Sequence, residues 1–174
     1  QENMAHETYG YDSQKLVVTS NFFEITNKPI RLAYSKNIMF SNNIVTGENN
    51  DNSTTFKIGI QLPVECYYAT FSNNIFKSIE IDLVASNFNS DITFSENQFI
   101  NTIINGNKCI RFKFNNNLVT NSDTFYGAVI HFTGNLKGIQ ANNNHFNVTG
   151  PYYRTGIYIA EETTDIDIQN NEIR

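Results

Sequence analysis

Basic residues are scarce: 12 Lys and Arg face 17 Asp and Glu in 174 residues, for a formal net charge of -5, and no run of them occurs. A nucleic-acid surface neutralises phosphates with clustered positive charge, so that class of partner is excluded. No apolar stretch approaches the ~18 residues of a membrane-spanning helix, and Gln1 to Gly10 lack the charged head and apolar core of a signal peptide. The chain reads as a mature product or a piece cut from something larger. Helical spacing of apolar residues over ten or more positions is missing throughout, and with three Pro this supports an all-β reading. The length suits one domain and is too short for two ordinary ones.

What is present is a repeat. Asn37-Ile38-Met39-Phe40-Ser41-Asn42-Asn43-Ile44-Val45 has six relatives in the chain. The seven aligned cores are Leu16-x-Val18-x-x-Asn21-x-Phe23, Ile38-x-Phe40-x-x-Asn43-x-Val45, Ala69-x-Phe71-x-x-Asn74-x-Phe76, Ile92-x-Phe94-x-x-Asn97-x-Phe99, Phe112-x-Phe114-x-x-Asn117-x-Val119, Ile139-x-Ala141-x-x-Asn144-x-Phe146 and Ile166-x-Ile168-x-x-Asn171-x-Ile173. Alternating apolar residues are the period of a strand with one buried face, and the polar pair interrupts them. Each copy is therefore strand, bend, strand. Asn suits the bend because it tolerates the left-handed backbone region and bonds to nearby backbone. Successive bend asparagines stand 22, 31, 23, 20, 27 and 27 residues apart, the range in which one repeat is one stacked supersecondary unit. Stacked at the ~4.8 Å strand spacing, the amides form a column that donates and accepts along its length.

A third apolar alternation follows most copies: Ile30-Arg31-Leu32, Ile58 to Leu62, Ile79 to Leu83, the weak Ile103-Ile104, Val129 to Phe132 and Ile157 to Ile159. Three strands per coil and one Asn corner resemble the right-handed parallel β-helix of the pectin-lyase-like superfamily, over residues 15–174, in about seven coils. Residues 1–14 read as a lead-in segment or linker. The resemblance implies that the Ile79 to Leu83 type of strand forms a first sheet on which saccharide binds, while the Asn column lines the bend between the second and third sheets. It implies little about chemistry, because the scaffold serves lyases, hydrolases, adhesins and bacteriophage tailspikes.

Alternation places Arg31, Gly59, Gln61, Glu80, Asp82, Ile104, Val129, His131 and Tyr158 on the outer face of the first sheet. Glu80 and Asp82 share a face at roughly 6–7 Å, near the separation of carboxylates that flank a glycosidic bond, and are the candidate catalytic pair. Loops bind when a rigid scaffold presents them. The expected binding set is His131, Tyr126, Tyr152, Tyr153, Arg154 and Tyr158, since aromatic faces and planar donors suit sugar rings. The polygalacturonase signature is not present, no coil offers the clustered aspartates of a calcium-dependent lyase, and no metal or cofactor is expected. Cys66 and Cys109 each precede a bend Asn by eight residues, which sets them two coils apart at ~10 Å, beyond disulfide reach.

The expectation is a module that recognises a polysaccharide or cell-surface glycan, as the shaft or receptor-binding part of a phage tailspike or a secreted surface protein. The alternative is a polysaccharide lyase or hydrolase. The location implied is extracellular or on a virion. The chain ends directly after its last strand, and an open strand edge calls for continuation, truncation or a partner subunit, as in a homotrimer.

Overall fold

The computed structural model describes residues 10–11, 13–47, 57–121, 127–148, 154–160 and 163–174. All described regular structure is β, and every strand pairing is parallel, between one copy of the repeat and the next. The chain is a parallel β-helix.

Three sheets run along it. The first stacks Gly10–Tyr11, Ile30–Ala33, Lys57–Gln61, the opening of Ile79–Ser95, the opening of Ile103–Asn115, Gly127–Thr133 and Arg154–Ile159. The second stacks Leu16–Thr19, Lys36–Ser41, Tyr67–Ser72, the later parts of those two long strands, Leu136–Asn142 and Thr163–Gln169. The third stacks Phe22–Ile25, Ile44–Gly47, Ile75–Lys77, Gln98–Ile100, Leu118–Asn121, His145–Val148 and Glu172–Ile173. Pairing of Gly10–Tyr11 with Leu32 and Ala33 brings the first sheet into the stretch read as a lead-in. Seven strands stack in the third sheet, but the closed solenoid is shorter than seven equal coils. The middle corner asparagines are 1–2 % exposed, whereas the inward positions of the last copy, Ile166, Ile168 and Ile173, are 46–68 % exposed. About five turns are enclosed.

The bend works differently from the sequence reading. The left-handed residue is the one before the column Asn: Ser20, Asn42, Asn73, Glu96, Asn116, Asn143 and Asn170 all have φ between 53° and 59°. Five of these seven are Asn, the non-glycine residue that best tolerates that region. The column Asn is thereby released for a different task. The Oδ1 of Asn97 accepts from the backbone N–H of Asn74 at 2.9 Å and from its Nδ2 at 3.0 Å. Its own Nδ2 donates to the Phe71 carbonyl at 2.9 Å and to Asn117 Oδ1 at 3.1 Å. The same set of bonds recurs at Asn43, Asn74, Asn117 and Asn144. Two donor hydrogens and both acceptor lone pairs are thus used in a site closed to water.

Inside the coil, two positions before the bend pair, Phe40, Phe71, Phe94 and Phe114 stack in register and are fully buried. The rings of Phe71 and Phe94 lie 4.6 Å apart at 9°; Phe76, Phe99, Phe112 and Phe114 surround Phe94 at 5.9 to 6.4 Å. The stack follows from the repeat itself: an inward Phe recurring at a fixed offset from a fixed bend must land on its predecessor.

The corner between the first and second sheets has its own buried column, Ser35, Cys66, Asn89 and Cys109, in which Asn89 Oδ1 accepts from the Cys66 N–H at 3.0 Å and Asn89 Nδ2 donates to the Leu62 carbonyl at 3.0 Å. Asn89 stands between the coils of the two cysteines, which are free thiols. Burial pushes the Cys66 thiol up to about 11 and the Cys109 thiol up to about 12.

Phe94→Ala opens a cavity shared by the coils above and below and is expected to cost about 3–5 kcal/mol. Asn97→Ala strips the acceptor from two Asn74 donors and leaves the Phe71 carbonyl one bond short, for about 1–3 kcal/mol. Urea unfolding checks both, and an unchanged midpoint in either variant would contradict the inward assignment. Both thiols should ignore Ellman's reagent at pH 8 until the chain is unfolded. Because their folded pKa values lie above the unfolded one, their contribution to stability is complete below about 9 and is lost as the pH rises toward 11 and 12; Cys66→Ser with Cys109→Ser should flatten that alkaline decline in a pH-dependent melting series.

Candidate functional site

Register on the first sheet brings one outward row together. Arg31 pairs with Gln61, Gln61 with Asp82, Asp82 with Asn105, Asn105 with His131 and His131 with Tyr158. Consecutive members therefore stand about 4.8 Å apart along the solenoid axis, on elements whose inner face is fixed by the core.

Three residues expected in this row are elsewhere. Ile104 pairs with Ile81 and Ile130 and is fully buried, in the inward column. Val129, one residue before that column's Ile130, is 1 % exposed. Gly59 is the extra residue of a bulge, since Glu80 pairs with Ile58 and Ile81 with Ile60. It is buried against the next coil: a Cβ there would stand 2.6 Å from Ile79 Cδ1 and 2.8 Å from Ile79 Cβ, so only glycine fits without displacing that side chain. Asn105 holds the place assigned to Ile104. Two adjacent isoleucines carry no alternation, so the phase of that strand was not readable from them.

The two carboxylates differ in setting. Asp82 is only 8 % exposed; its Oδ2 accepts from Gln61 Nε2 at 2.9 Å and its Oδ1 from the Val84 N–H at 2.9 Å. Glu80 lies between Ile58 and Ile103 in register, and its Oε1 accepts from Asn105 Nδ2 at 2.8 Å. Each acid thus holds an amide of a neighbouring coil in place, Gln61 on one side and Asn105 on the other. Farther along, the rings of His131 and Tyr158 lie 5.0 Å apart, tilted by 51°, and both are exposed. One coil edge of the row is therefore an aromatic step and the other an amide and carboxylate lattice.

Tyr126, Tyr152 and Tyr153 lie outside the described residues. Arg154 is described in its backbone, which pairs with Gly127 on the first sheet; its side chain lies outside the described set. The loop Thr46 to Phe56 is described only to Gly47. Among the described residues no cluster of His, Cys, Asp and Glu is placed to hold a metal ion, and no helix is long and apolar enough to cross a membrane, which leaves β-barrels unaddressed.

A second feature went unread in the sequence. At the corner between the first and second sheets, Tyr34, Lys36, Glu65, Tyr67 and Tyr68 surround a cleft. They come from two copies separated by the longest interval in the array, so only stacking brings them together. No family model, curated protein or solved structure matches the chain.

Asp82→Ala leaves the Val84 N–H and the Gln61 amide without their acceptor and is expected to destabilise the fold by about 1–3 kcal/mol, whereas Tyr158→Ala, on an exposed side chain, should stay within about 0.5 kcal/mol. Chemical denaturation of the two variants separates the buried fastening from the exposed aromatic step; equal losses would contradict this division.

Proposed function

We propose that the chain is a saccharide-binding β-helix module, of the pectin-lyase-like kind found in phage tailspikes and secreted surface proteins, and that its ligand is an extracellular or cell-surface polysaccharide. The observation that carries the reading is the outward row Arg31, Gln61, Asp82, Asn105, His131 and Tyr158. It combines planar amides, a carboxylate, a guanidinium and two adjacent rings on one rigid face. Sugar rings need those groups: hydroxyls donate and accept in pairs, and their C–H faces lie on aromatic rings. Amides held by carboxylates of neighbouring coils, as Gln61 and Asn105 are, also lose little conformational freedom on binding, which is where much affinity for a flexible glycan is otherwise spent.

The alternative is a lyase or hydrolase that uses Glu80 and Asp82 as acid and base. A general base must present a free lone pair to the proton it takes. Asp82 is 8 % exposed and each of its oxygens already accepts a hydrogen bond, so its remaining lone pairs are largely closed to a reacting group, which favours binding over turnover. An extracellular or virion setting and a trimeric or longer assembly belong to the same proposal.

Incubation with a panel of capsular and cell-wall polysaccharides, scored for affinity, for new reducing ends and for unsaturated product, tests the reading. Binding without cleavage is expected, weakened about 10-fold or more in His131→Ala and in Tyr158→Ala, with melting temperature unchanged. Cleavage abolished by Glu80→Gln would establish the enzyme instead, and unaltered affinity in both aromatic variants would remove this row as the site.

A further inference from the structure

The cleft at the corner between the first and second sheets has a volume of ≈ 400 Å³, inside the ~300–1,000 Å³ range of small-molecule sites. Its bends are left-handed, as at many corners of this chain, but carry bulky residues. Tyr34, Glu65 and Tyr68 have φ of 54°, 43° and 56°, the left-handed region that bulky side chains avoid. The position of Tyr68, six residues before the column Asn, is left-handed in six copies, and the others carry Asn37, Asp91, Arg111, Gly138 and Asp165. Short polar residues or glycine predominate at this bend, and Tyr68 is its one aromatic among them.

Burial does not offset the strain, since Tyr34 is 38 % and Tyr68 58 % exposed. The Tyr68 ring, more than half exposed on costly backbone, marks a place where something other than packing selects the residue. Tyr67 completes the aromatic lining. It pairs with Lys36 in register, and Lys36 Nζ stands 5.8 Å from the centre of its ring.

The polar groups decide the class of ligand. Lys36 is a three-hydrogen donor and meets no carboxylate within ion-pair distance among the described residues. Glu65 accepts from Asn87 Nδ2 at 2.7 Å, one of about four lone-pair positions on a carboxylate. One cation and one anion across a small cleft cancel, so neither a charged sugar nor a charged peptide gains net attraction there. A donor and an acceptor between aromatic faces suit hydroxyls on an apolar ring.

We propose that this cleft binds an uncharged pyranose unit, at a site separate from the His131 and Tyr158 row. The inference rests on the saccharide reading only for the class of ligand; it does not need that row to bind.

The full 174-residue chain, titrated calorimetrically with cellohexaose, laminarihexaose, maltohexaose and hexagalacturonate, tests it. At least one neutral hexasaccharide should bind, and more tightly than hexagalacturonate. Tyr68→Asn should weaken that binding about 10-fold or more while holding or raising the melting temperature, because Asn suits the backbone better; Tyr34→Asn is the second variant should the first fold poorly. Lys36→Met and Glu65→Gln should each weaken it several-fold. The paired change His131→Ala with Tyr158→Ala removes the first-sheet row, and the neutral-saccharide binding that remains should be the component that Tyr68→Asn weakens. No binding by any neutral probe, preference for hexagalacturonate, or full affinity in Tyr68→Asn and Tyr34→Asn would each overturn the proposal. If binding is lost in the His131 and Tyr158 variant and kept in Tyr68→Asn, the first-sheet row stands and this cleft falls; the reverse pattern sinks the row and keeps the cleft.

Discussion

A buried amide must find partners for two hydrogens and an oxygen, and the architecture of this chain is arranged around meeting that demand once per coil. Asn43, Asn74, Asn97, Asn117 and Asn144 are 1–2 % exposed, so each unmet bond would cost about 1–3 kcal/mol. Asn meets the demand because its carbonyl accepts from one coil while its amide donates to that coil's backbone and to the next coil's carbonyl. Asp offers no donors and would stack like charges, and Ser supplies a single hydrogen. The ladder also fixes geometry: bonds near 3 Å from coil to coil allow one register, and that register drops each Phe onto the last. At this bend the backbone strain falls on the preceding residue, where Asn42, Asn73, Asn116 and Asn143 absorb it at small cost.

Once one corner is fixed, the remainder of each coil is free to vary. The interval between ladder residues ranges from 20 to 31, and the extra length goes into loops and into the corner between the first and second sheets. That corner is where register shifts between Val84 and Asn89, where Cys66, Asn89 and Cys109 replace one another in a buried column, and where the tyrosine cleft forms. A scaffold with one rigid edge and one tolerant edge can vary its surface without disturbing the ladder. Tyr34 and Tyr68 hold left-handed backbone at positions outside the ladder itself.

The repeat, the strand period, the three strands per coil and the inward Phe column were legible because each rests on fixed offsets from one residue type. The division of labour within Asn42-Asn43 was not, since two adjacent asparagines do not announce which bears the strain and which the hydrogen bonds. The outer row was legible where a strand alternates cleanly, as at Glu80 and Asp82 or at His131. It failed at Ile104, where Ile103-Ile104 gives no phase, and at Gly59, where a bulge inserts a residue. Counting back from the ladder does not rescue either case, because Asn105 stands twelve residues before its Asn and Asp82 fifteen. The cleft went unread for a different reason: Lys36 and Tyr67 each stand seven residues before their ladder Asn and stack by that offset, but offsets do not show where outward side chains leave a hollow.

If the proposed saccharide reading holds, the network around Asp82 and Glu80 bears on whether this face would turn over substrate or hold it. A catalytic acid and base need protonation states poised apart and oxygens open to the reacting atoms. Here the carboxylates face sideways, along the axis, into the amides of Gln61 and Asn105. Such contacts make sense as orientation: an amide held by a carboxylate keeps its remaining carbonyl and N–H directed at a fixed position, and a row of them reads a ligand without being reordered by it. Removing an acid would then loosen its amide partner before it removed any chemistry, so the loss would register first as weaker binding. Under the proposed saccharide reading, order of side chains, set by the ladder underneath, is what this surface would contribute, and the rings of His131 and Tyr158 would supply the area against which that order acts.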